Sequence, residues 1–498
     1  MNNSCHLITG NSGRLIVGLF AVLLVAGCMI GPDYEKPLID SPATWRIDAK
    51  EAQDLSNSEW WGQFDDQVLN ELIDEALKQN KDLLIATSRV DEFLGRYGVT
   101  RAGLFPQAGA EGYAGRERIS ESVTPIGPNI DNPDNIYQAF LTATWEVDLW
   151  GRLRRATEAA QAELLSTEEA RQIVIQTLVS SVALGYIDLL SLDRQLSTSQ
   201  ETAKTRKESL EIFTKRHLAG VISNLELSQV KSEYYLALAR VPELERAIGQ
   251  RENALSILLG RDPAPIKRGG TIAELKLPTA PAGLPSDLLT RRPDLRQAEQ
   301  TLIAANARIG VARAAYFPTV SLTGFLGTSS RDMSDLFEGN SKAWNYAGNV
   351  TVPIFTAGRI KGEIEAAEAV QQQALVNYQQ AIQNAFREVN DSLIGQDRTR
   401  ETLAAQGQQV MALKDYARLA RLRYDEGYSS YLEVLDAERS LFNVDLGYTQ
   451  TRADLFSAMV SLYKAMGGGW IDLADDVTYP AASPGSQASN PASQATSP

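Results

Sequence analysis

Cysteine and histidine, the side chains that most often act as nucleophiles, general bases and metal ligands, are almost absent from this chain of 498 residues. Its two cysteines, Cys5 and Cys28, both fall in the first thirty residues, so the body has no disulfide framework, no CxxC pair and no thiol nucleophile. The two histidines are His6 and His217, and His217 follows Lys215 and Arg216, where it reads as a helix-end residue. No phosphate-binding loop, metal-spacing cluster or Ser-His-Asp set is present, and the carboxylates scatter along helical repeats as solvated faces. Gly467-Gly468-Gly469 lacks a preceding strand and reads as a helix stop. The expectation is a protein that is not an enzyme, has no catalytic residues and carries no cofactor or metal.

Cys28 is the one cysteine whose setting implies a reaction. Leu15 to Ala26 (LIVGLFAVLLVA) is an apolar run of signal-peptide length behind Arg14, and it ends in Val25-Ala26-Gly27-Cys28. Small residues directly before a cysteine are the pattern of a bacterial lipoprotein signal, in which Cys28 becomes the acylated first residue of the mature chain. An ordinary signal with a chance cysteine is the alternative. Met29, in place of Asp, permits transfer to the outer membrane. No other stretch is apolar and long enough to span a bilayer as a helix, so further membrane contact has to use strands.

A second cluster lies near the end of the chain. Leu432 and Asp436 are four apart and share a helix face, Arg439 is three further on, and Glu433 lies beside them. The residues alone describe a solvated face with an Asp436–Arg439 pair.

The elements that carry these residues come from a duplication. A shift of 212 superimposes Asp82-Leu83 on Asp294-Leu295, Arg101-Ala102 on Arg313-Ala314 and Phe105-Pro106 on Phe317-Pro318. A shift of 207 then matches Gly151-Arg152 with Gly358-Arg359, Gly220 with Gly427, Leu225-Glu226 with Leu432-Glu433, and Gly260 with Gly467. Each unit reads helix, strand, strand, very long helix, helix. The long helices are expected over 154–217 and 360–426, followed by helices over 223–259 and 430–466. Arg154 to His217 contains no proline and, if continuous, is roughly 95 Å of helix. Ile175, Val182, Leu189, Leu196, Ala203 and Leu210 recur every seven residues, as do Ile382, Val389, Gln396, Leu403, Val410 and Ala417. A strict seven-residue period implies helices wrapping left-handedly around neighbours.

Strands are expected near 107–117, 136–150, 319–328 and 343–355. Leu141, Ala143, Trp145, Val147 and Leu149 alternate with Thr142, Thr144, Glu146 and Asp148, while Trp344, Tyr346, Val350, Val352 and Ile354 alternate with Asn345, Asn349 and Thr351. Such segments suit a membrane barrel with a wet interior, and equally a soluble sheet with one buried face. Four strands cannot close a barrel, because the smallest membrane barrels have about eight. Strands placed in lipid would therefore demand an oligomer. The organisation reads as a signal peptide over 1–27, a lipidated segment over 28–65, unit one over 66–260, a linker over 261–285, unit two over 286–467, and an end over 468–498. From Ala481 the end is rich in Ser, Ala, Pro and Gln.

Lys and Arg total 48 against 62 Asp and Glu, a formal charge of −14, which argues against nucleic acid. It suits a cation-favouring lumen and an ordinary acidic surface equally well. Aromatics are 7%, and the long stretches are dominated by Ala, Leu, Gln, Glu and Arg, as in coiled coils.

Several strings resemble the TolC/OprM-type outer-membrane efflux family, in its lipoprotein (NodT-like) branch. They are Ile30-Gly31-Pro32-Asp33-Tyr34-Glu35-Lys36-Pro37, Trp60-Trp61 with Phe64-Asp65, and Trp145 to Arg152 (WEVDLWGR). Arg291-Arg292-Pro293-Asp294, Ala304 to Gly324, Tyr431 to Arg439 (YLEVLDAER) and Gly467-Gly468-Gly469-Trp470 complete the series. The resemblance covers roughly residues 28 to 475. It implies an α+β membrane protein: a homotrimeric twelve-stranded β-barrel with four strands per chain, continued by a long α-helical tunnel in the periplasm. A mixed equatorial region near 50–65, 261–285 and 470–475 would join the two. It implies an outer-membrane location, lipid-anchored and membrane-spanning, and a duct for small molecules in a tripartite pump. The partners would be a periplasmic adaptor protein and an inner-membrane efflux transporter. Protein secretion and a lipid-anchored coiled-coil stalk are the competing readings. Leu432 and Asp436 match positions that constrict the periplasmic tip, with Glu433 and Asp436 matching an acidic ring. Tyr424 and Glu226 match a tyrosine–carboxylate link between the units, and where one member carries Arg five residues after that tyrosine, this chain has Ser429.

Overall fold

The computed structural model describes residues 29–37, 45, 59–120, 122, 131–278, 285 and 288–468. Cys28, the signal segment, residues 50–58, the middle of the first strand loop and everything after 468 lie outside them. The chain forms two compact units, each assembled from three stretches.

The first unit takes residues 89–168 and 297–379 with the N-terminal segment. Its centre is one antiparallel sheet of four strands in sequence order, β1 (Gln107–Glu117), β2 (Asp134–Val147), β3 (Thr319–Ser330) and β4 (Lys342–Thr351). The first two strands belong to one repeat and the last two to the other. Register decides what each face carries. Ala110, Leu141, Leu326 and Trp344 form one row, and Val147, Val320 and Val350 another, on the same side. Thr144, Thr323 and Ala347, and Glu146, Ser321 and Asn349, form rows on the opposite side. The period-2 alternation therefore becomes one apolar and one polar face.

Two strand ends fall short of the alternating pattern. β2 stops at Val147, not 150, because Asp148 turns to accept from the backbone N–H of Leu153 (3.1 Å) and Arg154 (2.9 Å). That carboxylate satisfies the open first turn of the following helix, and Gly151 (φ 77°) supplies the left-handed step between them. β4 stops at Thr351, not 355, since Pro353 has no N–H to give to a ladder.

Helices α1 (Gln67–Gln79), α2 (Lys81–Ala102), α3 (Arg152–Leu218) and α4 (Asn224–Leu258) belong to the first repeat. The second repeat supplies the four-residue α5 (Leu288–Arg291), α6 (Pro293–Ala314), α7 (Arg359–Asp425) and α8 (Tyr431–Ala465). The long helices α3 and α7 have 67 residues each and the shorter α4 and α8 have 35 each, so the duplication is preserved to the residue.

The second unit holds residues 45, 59–88, 169–278, 285, 288–296 and 380–468 of the described chain. One core joins Trp60, Trp61 and Phe64 of a short 3-10 helix to Leu69 and Ile73 of α1, Val182 and Tyr186 of α3, Leu255 of α4, and Phe456, Met459 and Tyr463 of α8. Ile266, Ile272 and Leu275 of the linker enter the same core. Asp66 caps α1 by accepting from Val68 and Leu69, and its second oxygen accepts from the Tyr186 hydroxyl at 2.8 Å. The linker is pinned there too, because the Gly269 N–H donates to that hydroxyl at 2.8 Å. Along α3 the heptad positions Ile175, Val182, Leu189 and Ala203 are buried, and polar Ser191, Gln195, Ser199 and Arg206 share the buried seam.

Candidate functional site

Among the described residues, nothing covers the apolar face of the sheet. Leu141, Leu326, Trp344, Tyr346 and Val350 are between 61% and 80% exposed. A contiguous apolar patch of this kind marks a surface built for lipid or a partner. The other face carries Thr, Ser, Asn and Glu side chains, with Phe140 and Phe325 packed at 4.6 Å and Phe140 lying over Gly327, where a Cβ would collide with it. The outer edges of the sheet, on β1 and β4, pair with no other strand among the described residues.

The second element of the site is the end of the helical hairpins in the second unit. Both hairpins turn the same way. α3 ends with Gly220 at φ 73° and a hydrogen bond from Val221 N to Arg216 O, and α7 ends with Gly427 at φ 78° and one from Tyr428 N to Arg423 O. His217 sits at the first of these ends, its Nδ1 3.1 Å from the Ile222 carbonyl. The hairpins pack through Phe213, Leu227, Val230, Ala420, Tyr431, Val434 and Ala437.

The residues singled out in the sequence divide into two groups here. Leu432, Glu433, Asp436 and Arg439 line one open groove together with Glu233 and Tyr416. Arg439 donates to Asp436 at 2.7 Å, and Glu433 lies 3.7 Å from the Arg423 guanidinium. Leu432 is 57% exposed although Val434 and Leu435 beside it are buried, so this leucine faces away from the chain's own core. Tyr424 and Glu226 are not joined to one another. The Tyr424 hydroxyl accepts from Arg216 at 2.6 Å. Glu226 instead closes a capping box at the start of α4, accepting from the Ser223 N–H (2.8 Å) and hydroxyl (3.0 Å). The expected tyrosine–carboxylate link is thus replaced by a tyrosine–arginine one. The signal was legible, since Ser223-x-x-Glu226 is the capping-box spacing. Its counterpart Ser430 makes no side-chain cap bond, which leaves the equivalent Glu433 free to face the groove.

Four contacts of the hairpins, two between them and one within each, gave no signal in the sequence. Phe213 packs on Tyr431 at 4.2 Å, and Tyr431 on Tyr424 at 4.9 Å, an aromatic stack that spans α3, α7 and α8. Arg206 of α3, only 4% exposed, donates to the Glu233 carbonyl of α4 at 2.7 Å and lies 5.2 Å over the Phe442 ring of α8. Burial holds the Glu438 carboxyl above its usual range, while Arg421 and Arg206 pull it back down.

The sequence pattern of the family described as outer membrane efflux protein matches residues 72–261 and 284–468, the two repeats. The chain belongs to this family. It is 37% identical over 462 residues to the solvent efflux pump outer membrane protein SrpC of Pseudomonas putida, covering 91% of this chain and 97% of that one. Against the cation efflux system protein CusC of Escherichia coli K12 it is 36% identical over 462 residues, covering 90% and 97%. Among solved structures, CusC superposes with a TM-score of 0.79 at 35% identity, over 89% of this chain and 100% of the other. The CmeC outer membrane channel of Campylobacter jejuni superposes with a TM-score of 0.83 at 26% identity, over 89% and 95%. The fold is TolC-like: four antiparallel strands and long helices per chain, in duplicated halves. The protein is an outer-membrane efflux channel that extends into the periplasm.

Proposed function

We propose that three copies of this chain close one twelve-stranded barrel by pairing β1 of each copy with β4 of the next, and that the assembly is a passive exit duct for small molecules. The observation that carries this reading is the sheet itself, with one apolar exposed face, one polar face and two unpaired edges. Lipid tolerates no open edge, so a four-stranded sheet is stable there only when copies complete it. Hydrophilic rows such as Glu146-Ser321-Asn349 then line water, and solutes cross without dehydrating the wall. The duct is the outer-membrane part of a tripartite pump, with a periplasmic adaptor protein and an inner-membrane efflux transporter as partners. Acylation of Cys28 adds a lipid anchor.

The gate is at the groove of α8. Leu432 is the exposed apolar residue there, and Asp436 and Glu433 are the acids beside it. Three converging copies give an apolar constriction under a ring of carboxylates, whose mutual repulsion keeps the closed state only modestly favoured and whose field selects cations. An adaptor that contacts the open tip better than the closed one opens it by population shift.

Single-channel recording of the purified protein in planar bilayers tests both parts. Wild type should show a small cation-preferring current, and Leu432→Ser with Asp436→Ala should enlarge it. An unchanged current in that variant removes the gate from these residues. No current from either protein, with the oligomer intact, leaves a lipid-anchored stalk.

A further inference from the structure

Ionisable side chains are few on the strands, and the pleat sorts them by sign. β1 carries Glu111, Arg116 and Glu117, β2 carries Asp134 and Glu146, β4 carries Lys342, and β3 has none. Successive residues of a strand point to opposite faces. Arg116 therefore shares a face with Ala110, and Lys342 with Trp344, both members of one apolar row. Glu146 stands in a polar row, and Asp134 lies on the same side of β2. Glu111, opposite Phe140, and Glu117, opposite Asp134, are on that side of β1. All four acids thus stand on the polar face and both bases on the apolar one.

Pairing follows the same division. Glu146 is 2.7 Å from Arg152, and Asp134 is 2.9 Å from Arg331. Arg116 and Lys342 are exposed and make no ion pair among the described residues. Both belong to the edge strands, at the end of the sheet where loops join β1 to β2 and β3 to β4, and not at the end that runs into the helices. From Val350 to Lys342 the chain covers about 26 Å of strand, or about 20 Å of height at the usual barrel tilt. The apolar band of a membrane barrel is about 25 Å tall, so Lys342 stands where hydrocarbon gives way to headgroups. A base costs little at that depth, but an acid costs no more, so hydration does not explain why only bases occur on this face. Charges on edge strands guard against stray pairing from either face, which leaves the choice of the apolar one unexplained as well. Anions held beside that face account for both.

We infer that Arg116 and Lys342 bind the phosphate groups of outer-leaflet glycolipid, fastening lipid to the wall where β1 of one copy meets β4 of the next. This rests on the barrel proposed above, in which the loop end of the sheet faces the cell surface and the apolar face meets acyl chains. One ligand then satisfies both halves of the face: its chains cover Leu141, Leu326 and Trp344, and its phosphates neutralise the bases at their upper edge. The Arg116 guanidinium takes two phosphate oxygens side by side, and the Lys342 ammonium adds a point charge on a flexible stem.

Native mass spectrometry of the oligomer, extracted from outer membranes in a mild non-ionic detergent, counts the lipopolysaccharide that stays bound. Arg116→Gln with Lys342→Gln should lower that occupancy about five-fold, whereas Arg116→Lys alone keeps most of it. Glu111→Gln, on the opposite face, should leave it as in wild type. Equal occupancy in wild type and the double Gln variant overturns the site. Adding lipid back to the delipidated wild type separates the sources. Recovery of the bound mass with lipopolysaccharide, and not with phosphatidylglycerol or inorganic phosphate, supports the glycolipid, while saturation by either of the others overturns it. A nitroxide on Leu326→Cys tests the barrel independently. Relaxation by oxygen and not by a water-soluble nickel complex places the face in lipid, so failed retention with that signature overturns this inference alone, whereas a water-exposed label overturns the barrel with it.

Discussion

Replacing Tyr424 by Phe removes a single oxygen from the tip and leaves the aromatic stack with Tyr431 and Phe213 in place. The lost interaction is the 2.6 Å hydrogen bond from Arg216, which joins the end of α3 to the end of α7. Hydrogen bonds to charged groups contribute roughly 1.5–3 kcal/mol. Arg216 is exposed, so solvent screening reduces this to about 1 kcal/mol. If parting the hairpins is what opens the tip, the closed-to-open ratio falls about five-fold per chain, and three chains opening together lose ~3 kcal/mol, on the order of a hundred-fold. Open probability in planar bilayers reads this directly, and Arg216→Ala should open the channel similarly, with the double variant adding little beyond either single change. Glu226→Gln is the discriminating control. Gln serves in a capping box, so that change should leave gating as it is. Should Glu226→Gln open the channel as far as Tyr424→Phe, with no further gain on combining them, Tyr424 is latched by the Glu226 carboxylate and not by Arg216.

Charge on the wall is the next test. Leu326→Arg on the apolar face should cost about 2–4 kcal/mol near mid-membrane and reduce the folded oligomer in outer membranes, whereas Ser321→Arg on the polar face should fold and shift ion selectivity instead. Acid should tighten the tip through Glu438. Its carboxyl is held above the usual range when α3 and α8 are packed, so the packed tip binds the proton more strongly than the parted one. Packing is thus favoured below the ordinary carboxylate range and weakens as pH rises through the elevated value, with Arg206, Arg421 and Glu233 facing the group. Glu438→Gln should flatten the pH dependence of open probability in this interval, and an unaltered profile would place the titration elsewhere.

Local chemistry was legible without coordinates. The duplication, the four strands, the paired long and short helices and the scarcity of nucleophiles all follow from residue type and period, because a strand repeats every two residues and a wrapped helix every seven. Even the errors at the strand ends have local causes that the sequence contained: Asp148 as a helix-capping carboxylate and Pro353 as a missing donor. The capping box of Glu226 was readable in the same way. Resemblance transferred that glutamate to a latch because homology carries a role to a position without asking which neighbour the side chain reaches.

Only the tertiary structure decided the contacts between segments distant in the chain. Nothing in the sequence near Arg216 names Tyr424, and nothing near Gly31 names Gly310, since these pairs are brought together by how the two repeats pack and not by spacing along one helix. Arg206 stands in a run of charged residues that reads as wet surface, yet it is buried against Glu233 and Phe442. Sequence periodicity fixes which face of each element is apolar. Which other element that face meets is a matter of packing.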